Sequence, residues 1–214
     1  MNRRQLQLAT VISSSLILLL LAAYVHFGNQ QQPHNSAALS LRAAGMLQLP
    51  EPAAVPVLEF ESTEGGTFST RQFRDKWYLL YFGYTFCPDI CPTSLAEMLQ
   101  IRRMLDEQAL EQVEFVMVTV DPERDTATQL RAYLDFFDPQ FKGLSGSMDS
   151  IQSLSNALGI PFIPGDSSQP GYTVDHSGNL AIISPQGMHF GFVQAPFKIK
   201  AVAQQLNLLV QTTE

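Results

Sequence analysis

The segment Trp77-Tyr78-Leu79-Leu80-Tyr81-Phe82-Gly83-Tyr84-Thr85-Phe86-Cys87-Pro88-Asp89-Ile90-Cys91-Pro92 decides how this chain reads. Its first eight residues are aromatic and apolar without interruption, as expected of a strand buried on both faces of a sheet. The strand runs into a Cys-x-x-x-Cys, and Cys87 and Cys91 are the only 2 cysteines of the 214 residues. Each precedes a proline, and a residue before proline is pushed toward extended geometry. The stretch from Cys87 to Cys91 is therefore predicted as a loop, with Cys91 as N-cap and Pro92 as first helical residue. Leu95, Met98, Leu99, Met104 and Leu105 then line one helix face, and Arg102, Arg103, Asp106 and Glu107 another. The positive end of that helix would lie beside the sulfurs and favour thiolate over thiol.

Working outward, Val57 to Glu61 reads as a short strand and Ser62 to Gly66 as a turn. A helical turn is predicted near Phe68 to Arg74, with Ser69 or Thr70 as cap. Val113 to Val120 is the next strand, ended by Asp121-Pro122, with Asp125 or Thr126 capping a helix to about Phe136. A helix over Ser150 to Leu158 stops at Gly159, a hairpin joins Leu180–Ser184 to Met188–Val193, and a helix over Pro196 to Leu209 closes the chain. Strand and helix alternate before the hairpin, which predicts a three-layer α/β domain with a mixed central sheet. The cysteines fall at the C-terminal edge of the sheet, where open α/β folds place ligand chemistry.

The N-terminus divides the chain further. Residues 1–5 carry Arg3 and Arg4, and residues 6–27 are almost free of charge. That length, about 20 residues, suits one membrane-spanning helix with its N-terminus in the cytoplasm, the rival being a cleaved signal peptide. Residues 28–56, with Gln30-Gln31-Gln32-Pro33, read as a flexible linker. Residues 57–209 are long enough for one compact domain, and 210–214 form a tail. Either topology puts the domain outside the cytoplasm, where disulfides persist. The net charge of −7 argues against a nucleic-acid partner.

Two neighbouring thiols suit a structural disulfide, a redox pair or half a metal site. A bridge closing so small a loop constrains the unfolded chain little, which disfavours the staple. Thiolates select Cu(I), zinc or iron–sulfur clusters, and two cysteines are too few for a usual structural zinc site or a cluster. Copper needs only one further ligand, and His176 is the candidate nitrogen. It lies among polar and turn residues in Thr173-Val174-Asp175-His176-Ser177-Gly178, where a plain surface histidine is the competing reading. His189 sits between Met188 and Phe190 and reads as a strand residue, whereas His26 and His34 fall in the apolar segment and the linker. Asp175 could orient the imidazole or merely start a turn. Asp121 emerges at the same sheet edge as the cysteines, and Asp89 lies between them.

Three blocks, Thr85 to Pro92, Val120 to Thr126 and Val174 to Ser177, together resemble the signature of the Sco/SenC family in order and spacing. The resemblance covers about Val57 to Leu209 and implies a thioredoxin-like fold tethered to a membrane by one N-terminal helix. It implies one copper ion per chain, Cu(I) or Cu(II), held by Cys87, Cys91 and His176, with Asp175 and Asp121 as supporting or partner-contact residues. The implied role is assembly of the dinuclear copper site of cytochrome c oxidase subunit II. That role is copper delivery, reduction of the receiving cysteines, or both, Cys87 and Cys91 then being a redox-active pair. A second periplasmic copper chaperone or a thiol reductant would be a further partner. The implied location is the bacterial inner membrane with the domain in the periplasm, or the mitochondrial inner membrane facing the intermembrane space. The alternative is a thiol–disulfide reductase of exported proteins with copper binding secondary.

Overall fold

A computed structural model describes residues 16–23 and 38–212. It divides into two units, residues 1–40 and 41–214. In the first, residues 16–23 are helical; the remainder of the predicted span 6–27 lies outside the described residues. Among the described residues, no helix is long and apolar enough to cross a membrane.

The second unit is built on one eight-stranded mixed sheet. Its strands are β1 (Met46–Ala54), β2 (Glu59–Ser62), β3 (Thr67–Ser69), β4 (Trp77–Gly83), β5 (Val113–Thr119), β6 (Lys142–Ser145), β7 (Leu180–Ile183) and β8 (Met188–Val193), in spatial order β1-β8-β7-β4-β5-β6-β2-β3. The helices are α1 (Ile90–Arg103), α2 (Glu107–Gln112), α3 (Ala127–Asp135), α4 (Met148–Ala157) and α5 (Ile199–Gln211). Every residue of β4 and β7 is buried, as is nearly all of β5, so these strands have cover on both faces. The helical faces explain that cover: α1 buries Leu95, Met98 and Ile101, and α5 buries Val202, Leu206 and Val210.

Topology brings distant parts of the sequence to one sheet edge. β4 and β5 are parallel, so the cysteine loop and the Asp121 loop leave from the same end. β7 runs antiparallel to β4 with Leu180 opposite Tyr81, so the chain entering β7, which carries His176, arrives at that end too. The three sequence blocks therefore converge because of strand direction, across 85 residues between Cys91 and His176.

Several boundaries differ from the sequence reading. Residues 46–54, predicted as linker, form β1 and pair with β8; Leu41, Ala44 and Met46 are buried. The prolines are compatible with a strand here because β1 lies at the sheet edge, where a missing N–H costs no ladder bond on the open side. Its pairing shifts register between Gln48 and Ala53, the stretch that contains Pro50 and Pro52. Gly191 lets β1 approach, since a Cβ there would lie 2.0 Å from the Leu47 carbonyl oxygen. At the other end α5 continues to Gln211 and buries Val210, so the domain extends beyond residue 209 into the predicted tail. The helical turn after β3 is a short 3-10 segment, Thr70–Gln72, with Ser69 as its cap. Thr126 caps α3 as expected, its side chain accepting from the Gln129 N–H.

Candidate metal centre

The site starts from β4. Its last residue, Gly83, is followed by Tyr84 and the loop to Asp89, and α1 begins at Ile90 with Asp89 as N-cap. Cys91 is thus inside the first helical turn and is not its cap. Pro92 fits there because the first N–H groups of a helix lack intrahelical acceptors in any case. Cys87 stays in the loop, half-buried, while Cys91 is fully enclosed; both are free thiols.

The Cys91 sulfur rests against the end of β4. The Tyr84 N–H donates to it at 3.4 Å. A Cβ on Gly83 would stand 2.9 Å from this sulfur and 2.6 Å from the Tyr81 ring. Gly83→Ala is therefore expected to cost about 1–3 kcal/mol through overpacking and to displace the sulfur. Denaturant titration and a metal-binding isotherm check this; wild-type values for both would contradict the contact.

Burial pushes the Cys91 thiol well above its ordinary range, while its contacts with Tyr81 and the Tyr84 N–H pull the other way. The predicted preference for thiolate does not hold at Cys91, because desolvation at this depth outweighs a helix terminus. A thiophilic cation can take the place of the proton, since a coordinating thiol is deprotonated by the ion's own charge.

His176 completes the cluster. Its Nε2 lies 3.3 Å from the Cys91 sulfur, and its Nδ1 lies 3.2 Å from the Ser177 carbonyl oxygen. A carbonyl only accepts, so Nδ1 carries the proton and the Nε2 lone pair faces the sulfurs. Burial lowers the imidazole's proton affinity, with the Ser177 and Phe82 carbonyls and the Asp175 charge opposing, which keeps the ring neutral and able to ligate. Tyr84 and Tyr81 meet the ring edge-on, at centroid distances of 5.6 and 6.0 Å.

The ligating atoms of Cys87, Cys91 and His176 all lie within 4.8 Å of one another. Metal–nitrogen and metal–sulfur bonds of about 2.0–2.3 Å allow donor separations up to roughly 4.5 Å around one ion, so a small closure suffices. Among the described residues this is the one such group. Its two soft sulfurs and one imidazole favour copper over hard cations.

The two candidate supporting residues have different surroundings. Asp175 is exposed, and its backbone pairs with Ile163; of the two roles open to it in sequence, orienting the imidazole through a hydrogen bond falls to the Ser177 carbonyl. Asp121 is buried, its carboxylate held by Arg124 and by the Tyr172 hydroxyl, the latter at 2.7 Å. Asp125, read only as a possible cap, is fully buried and ties the cysteine loop down. It accepts from the Thr85 N–H at 2.9 Å, the Thr85 hydroxyl at 2.6 Å and the Thr119 hydroxyl at 2.7 Å. His189 is buried in β8 with Nε2 3.1 Å from the Gly191 carbonyl oxygen, outside the cluster, while His26 and His34 lie outside the described residues.

The SCO1/SenC family model matches residues 50–211. The chain belongs to the SCO1/SenC family. Sco proteins of both bacterial and mitochondrial origin are similar to it. A candidate copper-binding protein of Stutzerimonas stutzeri is 42% identical over 166 residues, covering 78% of this chain and 81% of that one. The bovine mitochondrial SCO2 homolog is 41% identical over 118 residues, 54% of this chain; the chain spans only 44% of that protein's length. Among solved structures, copper-bound yeast Sco1 aligns with a TM-score of 0.69 at 26% identity, over 75% of this chain and 90% of that one. The thioredoxin-like α/β fold with a mixed sheet is thereby that of the Sco proteins.

Proposed function

We propose that this chain binds one copper ion through Cys87, Cys91 and His176 and serves the assembly of cytochrome c oxidase. The observation that carries the reading is the donor set, two sulfurs and an unprotonated imidazole nitrogen within single-ion reach at the sheet edge. The copper-bound yeast relative supports it. The recipient we infer is the dinuclear copper site of subunit II, which the chain fills with copper or prepares by reducing its cysteines. The apolar residues 6–27, flanked by Arg3 and Arg4, would anchor the chain in the bacterial inner membrane with the domain in the periplasm. Anchoring raises the effective concentration at a membrane-embedded recipient.

The unequal exposure of the two sulfurs also suits thiol–disulfide exchange. Cys87, half-buried, is the sulfur that can attack a partner disulfide, forming a mixed disulfide and releasing one partner thiolate. Cys91 then attacks the Cys87 sulfur, the second partner thiolate leaves, and two electrons have passed to the partner. The resulting Cys87–Cys91 disulfide no longer offers two thiolates, so oxidation would also release copper.

His176→Ala tests the three-ligand reading. The variant of the full chain should keep its circular dichroism spectrum and lose at least about 100-fold in Cu(I) affinity, since even outer partners of ligands are worth 10–100-fold. Competition with a chromophoric Cu(I) chelator measures this, and unchanged affinity would sink the reading.

A further inference from the structure

One side chain touches both loops that carry the candidate ligands. The Arg124 guanidinium lies over the Tyr172 ring at 3.6 Å from its centroid and over the Phe86 ring at 4.9 Å. Phe86 immediately precedes Cys87, and Tyr172 stands four residues before His176. In its own plane the guanidinium is also engaged: Nε donates to Asp121, and Nη2 donates to the Tyr172 carbonyl oxygen at 3.0 Å. The Tyr172 hydroxyl closes the circuit by donating to the other oxygen of Asp121. Asp121 itself is 3% exposed and stands two residues beyond the end of β5, so the circuit is fastened to the sheet. A second link joins the same loops, where the Val174 N–H donates to the Tyr84 hydroxyl at 3.3 Å.

We propose that Arg124 is the positioning residue of the metal centre, holding the Cys87 loop and the His176 loop at a fixed separation so that the three donors stand ready for one ion. This rests on the copper reading above. An arginine is what the arrangement needs. Its planar fork presents N–H groups to a carboxylate and a carbonyl while its faces meet aromatic rings, whereas a lysine supplies only a point charge. Preorganised donors bind more tightly because the ordering cost is met before the ligand arrives.

The test uses full-length Arg124→Lys, Tyr172→Leu and Tyr172→Phe, with wild type and His176→Ala alongside. Arg124→Lys keeps the charge beside Asp121 and loses the stacking; Tyr172→Leu loses the stacking from the other side. Both should lower Cu(I) affinity about 10–100-fold, the usual scale for residues that orient ligands. Both should also make the paramagnetic resonance spectrum of the Cu(II)-loaded chain heterogeneous and shift the metal-free His176 imidazole resonances. Tyr172→Phe keeps the ring over the guanidinium and should lie closer to wild type in all three readouts. Wild-type copper uptake with unaltered affinity and spectra in Arg124→Lys and Tyr172→Leu would overturn the role of Arg124 alone. A lowered thermal midpoint with unaltered copper affinity would do the same, assigning the circuit to stability. A wild-type chain that takes up no copper overturns both readings.

Discussion

Serine at either cysteine should abolish tight copper binding, and the two variants should differ in what else they lose. Cys87 lies in the loop and is half-buried, so Cys87→Ser is expected to leave stability within about 0.5 kcal/mol of wild type. Cys91 is fully enclosed between the end of β4 and the first turn of α1, with the Tyr84 N–H on its sulfur. A hydroxyl there is smaller and harder to desolvate, and Cys91→Ser should cost a further 1–3 kcal/mol or so. Copper should also stabilise the wild-type chain by mass action, by about 2.7 kcal/mol at a free concentration 100 times Kd, and neither serine variant by a comparable amount. Denaturant titrations with and without Cu(I) read all of these quantities together. A serine variant that still gains wild-type stabilisation from Cu(I) would remove that cysteine from the ligand set. Equal stability of the two metal-free variants would contradict the burial difference.

How much of this was legible beforehand depends on the range of the interaction involved. The uninterrupted run from Trp77 to Tyr84 announces a central strand, because burial on both faces leaves no polar alternation. The hairpin of β7 and β8 is equally local. The convergence of Cys87, Cys91 and His176 is legible only through motif spacing, since its physical cause is the antiparallel β4–β7 register, set by long-range pairing. β1 escaped because its prolines signal a linker in sequence and become harmless only at a sheet edge. The ionisation of Cys91 is hidden from the sequence for a related reason: a helix terminus is visible there, but enclosure by Gly83, Tyr81 and Tyr84 is a property of the fold. In sequence Asp125 reads as a possible cap, and Arg124 is only a member of the block from Val120 to Thr126. Their roles emerge only where β5 delivers them against the cysteine loop.

Asp125→Ala is the second large effect expected, and it falls mainly on the fold. Three donors converge on this carboxylate, two from Thr85 and one from Thr119, and the residue has no exposed surface. Each buried donor left without a partner costs about 1–3 kcal/mol, and water entering the gap recovers part of it, for a net loss of roughly 3–5 kcal/mol. For a domain of this size that corresponds to a fall of about 10 °C in Tm. The binding consequence follows from position. Thr85 stands two residues before Cys87, so freeing its backbone N–H loosens the loop that carries one donor sulfur, and copper affinity should fall with stability. Asp125→Asn separates the contributions. Its carbonyl oxygen can still accept from Thr85, and it removes the burial of charge that raises the carboxyl's proton affinity. Its amide nitrogen, however, replaces one of the two accepting oxygens, so donors that faced that oxygen lose their acceptor. The asparagine variant should therefore lose about half as much stability as the alanine variant while retaining more of the copper affinity. If instead both variants keep the wild-type midpoint, the carboxylate does not tie the cysteine loop to β5.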